Sequence, residues 1–387
     1  MNRKICFLLP LLLVVFIINS CTKDVSNVTR PENYYPGTFS DVFEAFWNGM
    51  NNNYIFWDID TTDWDAMYKR YQPVFAKMNI NDDNDVKKSI NYFRLMTKGL
   101  VDSHYNLTFL YNAVKDSSIN PSYARKMDTI HQDVFYANYS QNYLDNDFVY
   151  GEDTDTDPTE DRFAMSGTIN GNVLYFYCNI FGLKTSYEAS TGSDIKKVMD
   201  YFFYKLKNPS ALKGVIIDVR GNGGGEVTDL NFLLGKMITS PLTFGYTRYK
   251  SDNGRLDYTP YAPAIITPQT GAVALNIPVV ALADAWSASL AELTTMAIHS
   301  MPNGKFIGET TWGANGPLSN NQNFNAGQFT ASDFVNVYTS SSEFKYLDNK
   351  NYEGKGFPPD IAVPFNIAYL QEGRDAALEA AYHYINP

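Results

Sequence analysis

The stretch "GVIIDVRGNGGGEVTDL", residues 214–230, joins an apolar run to a glycine turn and a helical pattern. Residues 214–220 predict a β-strand, because short branched apolar runs bounded by turn residues are typical of strands covered on both faces. Four of the five residues 221–225 are glycines, more than a tight turn alone requires. N–H groups exposed at a helix N-terminus favour an anion. The turn is either a dinucleotide loop, although its spacing is not G-x-G-x-x-G, or an oxyanion hole.

The segments around this turn alternate between strand and helix patterns. Short apolar runs predict strands in "NVLYFYCNIF" (172–181), in "IPVVALAD" (277–284) and around residues 306–307. Residues 193–206 are amphipathic with helical spacing, and a further helix is expected from about residue 290. The inner face of the 193–206 helix is formed by Ile195, Val198, Met199, Phe202 and Leu206. This alternation predicts an α/β layer structure, which we assign to residues 165–387.

The N-terminal half has helical periodicity instead. Three apolar faces recur between Ser40 and Leu100: Phe43, Phe46, Trp47 and Met50; then Trp64, Met67, Tyr71, Val74 and Phe75; then Val86, Ile90, Phe93, Met96 and Leu100. They predict a small helical domain over residues 38–110. A connecting segment, 111–164, contains the acidic run "DTDTDPTED". We interpret this run as a solvated loop, because Pro158 and Ala164 stand where an EF-hand needs glycine and glutamate.

The first residues are typical of a secretory signal. A basic start at Arg3 and Lys4 precedes an apolar run over residues 5–18 that is too short to span a bilayer comfortably. Cys21 directly after a small residue resembles a bacterial lipobox. This implies removal of residues 1–20, a lipid on Cys21, and a tether over 21–37. The alternative is an ordinary signal peptide with an incidental cysteine.

Composition restricts the function further. The chain has 387 residues, 44% of them hydrophobic, which suffices for one large and one small domain. Its net charge of −11 argues against a nucleic-acid partner, because an acidic surface is not attracted to phosphates. No H-E-x-x-H, C-x-x-C or histidine cluster is present, so we expect no metal and no cofactor. With Cys21 modified, no disulfide is available.

The stretch "ALADAWSASLAEL", residues 281–293, holds two serines at a predicted strand-to-helix turn. Ser289 and Glu292 fit the S-x-x-E capping box, in which the serine caps the helix. Ser289 also suits a nucleophile, because such a turn exposes the serine and the helix N-terminus stabilises negative charge. The two roles can coexist, and the stretch alone does not separate them.

Four motifs in order carry a family resemblance: "GVIIDVRGNGGG", "VVALADAWSASLAEL", "FIGETTWG" and "GFPPDIAV". Over roughly residues 165–365 the chain resembles the tail-specific, or C-terminal processing, serine peptidases. The resemblance implies an α/β (α+β) core of the crotonase-like (ClpP/crotonase) type, preceded by the small helical domain. It implies that Ser289 is the nucleophile and Ser287 a neighbour. No PDZ domain is expected, because only about 60 residues separate His104 from the first core strand.

The chain departs from the best-known branch of that family, which uses a serine–lysine dyad. Ala314 stands at the lysine position, and Lys305 is interpreted as a surface residue. The chain instead resembles the tricorn-like branch, through "GLVDSHYN" (99–106) and "YEGKGFPPD" (352–360). This resemblance implies His104 as the base, assisted by Ser103 and Glu353. A neutral imidazole can take the serine proton and return it to the leaving amine.

The other three histidines are weaker candidates. His131, in an irregular segment, is the second choice of base. His299 lies ten residues after Ser289 and is expected to point elsewhere, and His383 is expected at the surface of a C-terminal helix.

The leading hypothesis is a lipid-anchored serine peptidase of the bacterial cell envelope, on the periplasmic or surface face of the outer membrane, acting on polypeptides. Its oxyanion hole would combine the Leu290 N–H with that of Gly223 or Gly224. The alternative is a catalytically inactive relative that binds a peptide, a hydrophobic small molecule or a glycan, which the missing lysine at position 314 keeps open.

Overall fold

The computed structural model describes residues 37–153, 161–189, 193–318 and 327–387. The predicted signal, Cys21, nearly all of the tether and most of the acidic run lie outside these residues. Among the described helices, none combines the length and apolarity needed to cross a membrane.

Ten α-helices and fourteen β-strands follow one another along the described chain. The helices are α1 (Phe39–Asn53), α2 (Trp64–Phe75), α3 (Asp83–Thr97), α4 (Pro121–Lys126), α5 (Ala137–Ser140), α6 (Leu183–Glu188), α7 (Asp194–Leu206), α8 (Leu290–His299), α9 (Ile367–Gln371) and α10 (Ala376–Ile385). The strands are β1 (Asn106–Phe109), β2 (Ser118–Ile119), β3 (Val149–Asp153), β4 (Arg162–Ile169), β5 (Val173–Cys178), β6 (Gly214–Asp218), β7 (Leu242–Tyr249), β8 (Ala262–Ile266), β9 (Val279–Ala283), β10 (Gly304–Gly308), β11 (Gln328–Ala331), β12 (Val335–Tyr338), β13 (Ser342–Tyr346) and β14 (Ile361–Ala362).

A seven-stranded sheet, in the order β14-β10-β9-β6-β5-β4-β3, organises the core. The strands from β5 to β14 in this order pair in parallel, whereas β4 and β3 close one edge antiparallel. Every residue of β5, β6 and β9 is buried, as the continuous apolar runs predict. Helices α7 and α8 pack on one face and α10 on the other. The predicted α/β core is therefore confirmed.

Helix α7 shows how the sequence fixes this packing. Ser193 accepts a hydrogen bond from the Ile195 N–H and so caps the helix. The five apolar residues predicted to face inward are the five that are buried.

The N-terminal unit contains the three predicted helices and a four-stranded sheet that the helical periodicity did not predict. The sheet order is β11-β12-β1-β2, so the hairpin of β11 and β12 comes from more than two hundred residues further along the chain. Phe329 packs so closely on Gly49 that a Cβ there would collide with the ring. Phe334 lies edge-on to Phe39 and Phe109. The small domain is thus completed by a segment of the C-terminal half.

Candidate active site

A buried ion cluster fixes the end of β6, where the glycine turn begins. The Arg220 guanidinium donates hydrogen bonds to both carboxylate oxygens of Asp218 and to both of Asp375, at 2.6–2.9 Å. The next residue, Gly221, donates its N–H to Asp284 Oδ1 at 3.0 Å. The ends of β6 and β9 are thereby held side by side, and the glycine turn lies beside the serine turn.

Gly224 is the contact between these two turns. Its φ of +110° is accessible mainly to glycine, and a Cβ there would lie 2.6 Å from the Ser289 Cβ. The Gly224 N–H donates to Asn222 Oδ1 at 2.8 Å. Gly223 is exposed, with no atom within 4 Å of where its Cβ would be. The glycines therefore allow close approach to the serine and leave open space beside it.

Ser289 occupies a strained position between β9 and α8. Its φ is +53° and its ψ is −119°, a conformation that costs a non-glycine residue energy and is concentrated at functional sites. Although Ser289 precedes the first helical residue, its side chain makes no capping hydrogen bond. The capping-box interpretation is therefore wrong, because this backbone conformation turns the hydroxyl away from the first turn. The hydroxyl is left at the surface of the turn.

The Glu292 carboxylate has a different role from the one that a capping box would give it. It is fully buried and accepts hydrogen bonds from Thr311 Oγ1 at 2.5 Å, from the Gly313 N–H at 2.8 Å and from the Ala314 N–H. Burial raises its pKa to about 7 despite these donors. Glu292 therefore ties α8 to the loop that begins at Thr311.

The same loop carries the segment that contains Ser103 and His104. Ser103 Oγ donates to the Gly313 carbonyl at 2.7 Å, and the Ser103 N–H donates to Glu353 Oε1 at 2.7 Å. Glu353 Oε2 accepts from the Gly316 N–H at 2.8 Å. The structure thus brings Ser103, His104, Glu353 and the Ser289 helix to one place, but Ser103 is not hydrogen-bonded to the His104 ring.

His104 is half-buried, with its Nδ1 3.5 Å from Ser340 Oγ and its N–H donated to Asp102 Oδ1 at 2.9 Å. Among the described residues, no hydrogen bond joins its ring to Ser289. Burial lowers the pKa of His104 to about 4, so the imidazole is neutral at neutral pH. Burial also raises the pKa of Asp102 to about 6 and that of Glu353 well above its usual range. The pocket disfavours charge of either sign.

Asp102, His104 and Glu353 place ligand-type atoms within 4.8 Å of one another, a grouping that could hold a metal ion. Each carboxylate oxygen of this group already accepts a hydrogen bond from the protein. The group is therefore satisfied by the chain itself.

The other histidines are held elsewhere. His131 Nε2 lies 2.8 Å from Glu309 Oε2, and its ring stacks on Phe365. His299 is bonded to Tyr346 and Asp360, and His383 is exposed, both as predicted.

The structure adds three residues that sequence motifs did not reveal. Lys126, at the end of α4, lies with its Nζ 5.4 Å from the centre of the Trp312 ring, and burial lowers its pKa while Glu292 and Glu353 raise it. Asp102 and Ser340 contact His104. Asp102 adjoins the histidine in sequence and could have been considered, whereas no spacing rule points to Lys126 or Ser340.

Comparison with known proteins agrees with this geometry. Residues 184–363 match peptidase family S41, and residues 36–84 match the tricorn protease C1 domain; together the matches cover more than half of the chain. The chain belongs to peptidase family S41. As a member of this family it is a serine-type peptidase that acts on polypeptides.

Solved structures show the same fold. A candidate peptidase of Parabacteroides merdae aligns with a TM-score of 0.68 at 23% identity, over 90% of this chain and 96% of that one. The photosystem II D1 C-terminal processing protease aligns with a TM-score of 0.45 at 14% identity, over 87% and 97% of the two chains. The tricorn protease aligns with a TM-score of 0.36 at 20% identity, over 56% and 18%. No protein of curated function matches the sequence.

Replacing Glu292 with glutamine tests how this S41 site is held. An amide nitrogen cannot accept a hydrogen bond, so at least one donor of the loop loses its acceptor, at a cost of about 1–3 kcal/mol. Because the folded pKa of Glu292 is raised, its contribution to stability is present at low pH and is lost as pH rises through about 7. Glutamine does not titrate. In urea unfolding, the stability of the wild type relative to E292Q should fall between about pH 5 and about pH 8; a rise would contradict the assignment.

Proposed function

We propose that this S41 peptidase cleaves peptide bonds with Ser289 as the nucleophile and His104 as the general base, in the cell envelope. The observation that carries the proposal is the strained backbone of Ser289, which presents its hydroxyl at a strand-to-helix turn against Gly224. A serine that merely began a helix would gain nothing from this conformation.

The reaction follows from the groups around that hydroxyl. Ser289 Oγ attacks the substrate carbonyl as its proton passes to His104 Nε2, and the imidazolium then protonates the leaving amine. The acyl-enzyme is released by water in the reverse sequence. His104 can accept the proton because its lowered pKa keeps it neutral.

The backbone supplies donors for the developing oxyanion. The Leu290 N–H opens helix α8, and neither it nor the Gly223 N–H has an acceptor among the described residues. The Gly224 N–H is already donated to Asn222. Leu290 and Gly223 are therefore the proposed oxyanion hole, in which two preorganised donors stabilise the tetrahedral intermediate.

A fluorophosphonate probe tests the nucleophile. The probe should label the wild type, and S289A should lose both the label and peptide hydrolysis while staying folded, because the attacking oxygen is gone. Ser287, buried with its hydroxyl donated to the Val219 carbonyl at 2.7 Å, provides the control: folded S287A should still be labelled. Labelling of S289A, or a folded wild type that neither labels nor cleaves a peptide library, overturns the proposal.

Kinetics of base variants test His104. H104A should lower kcat/KM by about 10²–10⁴-fold, whereas K126M and H131A should retain most activity. In the wild type, the imidazole should stay competent below pH ~6.5 and be lost only as pH falls through about 4. An acid limb centred near ~6.5, or a larger loss in K126M than in H104A, would contradict the role of His104.

We also propose that the peptidase is anchored by a lipid on Cys21, in the bacterial outer membrane. The basic start, the apolar run over residues 5–18 and the cysteine after Ser20 support this address.

Replacing Cys21 tests the anchor. The wild type should incorporate labelled palmitate and partition into detergent, and C21S should do neither, because the acceptor thiol is missing. Activity on soluble peptides should be equal in both, since Cys21 lies before the folded part. Palmitate in C21S, or an unlabelled wild type, would contradict lipidation.

A further inference from the structure

We infer that Asp102 and Ser340 are positioning residues for His104: the Ser340 hydroxyl bridges the imidazole Nδ1 and the Asp102 carboxylate and holds Nε2 toward Ser289. This inference rests on the proposed role of His104 as the base. It replaces the part that the family resemblance gives to Ser103 and Glu353.

The hydrogen bonds around Asp102 define the bridge. Its carboxylate is fully buried; Oδ1 accepts from the His104 N–H at 2.9 Å and from Ser340 Oγ at 2.9 Å, and Oδ2 accepts from the Ser340 N–H at 2.8 Å. Both residues around the imidazole are therefore fixed by one carboxylate. A buried carboxylate with three donors has little freedom to move.

The direction of the Ser340 hydroxyl sets the tautomer of His104. Because Ser340 donates its proton to Asp102, its remaining lone pairs face the ring as acceptors, and His104 Nδ1, 3.5 Å away, is the matching donor. The Nδ1–H tautomer leaves Nε2 unprotonated, which is the state that a base requires. A long contact in a substrate-free site can tighten when substrate binds.

Ser103 and Glu353 are occupied elsewhere. Ser103 Oγ donates to the Gly313 carbonyl and accepts from Ser122 Oγ at 3.0 Å. The two Glu353 oxygens accept from the N–H groups of Ser103 and Gly316. These residues hold the loop against the histidine segment, and the hydrogen bond to the ring comes from Ser340.

The bridge also supplies charge compensation during the reaction. When His104 takes the serine proton it becomes cationic inside a pocket that disfavours charge. The Asp102 carboxylate, one hydroxyl away, lowers the energy of that imidazolium, as a directly bonded aspartate does in other triads. The groups facing Asp102 are His104, Glu353, Asp60, Tyr54 and Tyr105, none of them a lysine or arginine.

The tautomer can be read directly by ¹⁵N NMR of the full chain labelled at histidine, with H104Q identifying the His104 signals. In the wild type near neutral pH, Nδ1 should carry the proton and Nε2 should not. In S340A and D102N the signals should shift toward the other tautomer or a mixture. S342A is the matched control, because Ser342 is equally buried and its hydroxyl has no hydrogen-bond partner among the described residues. A protonated Nε2 in the wild type, or unchanged signals in both S340A and D102N, overturns the bridge.

Kinetics supply the second readout. S340A and D102N should lower kcat by about 10- to 100-fold, the usual cost of losing a partner that orients a histidine, with KM nearly unchanged, and S342A should match the wild type. Equal losses in S342A, or losses that only follow the folded fraction measured by circular dichroism, would reduce Ser340 to a structural role and overturn the inference. Because NMR reads the ring without substrate, it distinguishes failure of this bridge from failure of His104 as the base, which would appear as an active H104A.

Discussion

The site depends on one buried carboxylate. Glu292 lies one helical turn after Ser289 and holds the loop from Thr311 to Ala314 through three hydrogen bonds. That loop in turn receives the Ser103 hydroxyl at the Gly313 carbonyl. The segment before β1 and the helix after β9 therefore meet through a single loop, and the distance between Ser289 and His104 is set by hydrogen bonds that neither residue makes itself. Such a carboxylate has to be buried, because solvent would compete for the same donors.

Burial has a second consequence, which is electrostatic. The pKa of His104 is lowered while those of Asp102, Glu292 and Glu353 are raised, all chiefly by desolvation. In the resting site this favours a neutral base beside a neutral hydroxyl. In the proposed reaction the charges appear together, with the oxyanion facing two backbone N–H groups and the imidazolium facing Asp102 across Ser340. The same low polarity that disfavours an isolated charge strengthens these preorganised contacts.

The sequence predicted the elements whose signals are local. The α7 face, the continuous strands of the core and the three N-terminal helices follow from periodicity, and the glycine turn and Ser289 follow from residue types at short spacing. Features formed by distant segments were not predictable. The β11–β12 hairpin joins the N-terminal unit across the chain, and Ser340 reaches His104 from just beyond it. The capping box shows the opposite error: residues 289–292 fit a local motif, but tertiary hydrogen bonds to Glu292 and the strained φ of Ser289 decide the outcome.

Ala314 then has a physical interpretation. Its N–H is donated to Glu292 and its methyl group is almost fully buried, so the backbone of this position is essential to the loop while its side chain has no solvent to reach. A lysine here would place its ammonium in the pocket that already disfavours the His104 cation. The neighbouring Gly313 contacts both Glu292 and Ser103, so a base carried by the loop and a base carried by the Ser103–His104 segment would enter the same small volume. The two bases are therefore alternatives in space, and a chain that brings a histidine through the N-terminal segment has a reason to keep position 314 small and uncharged.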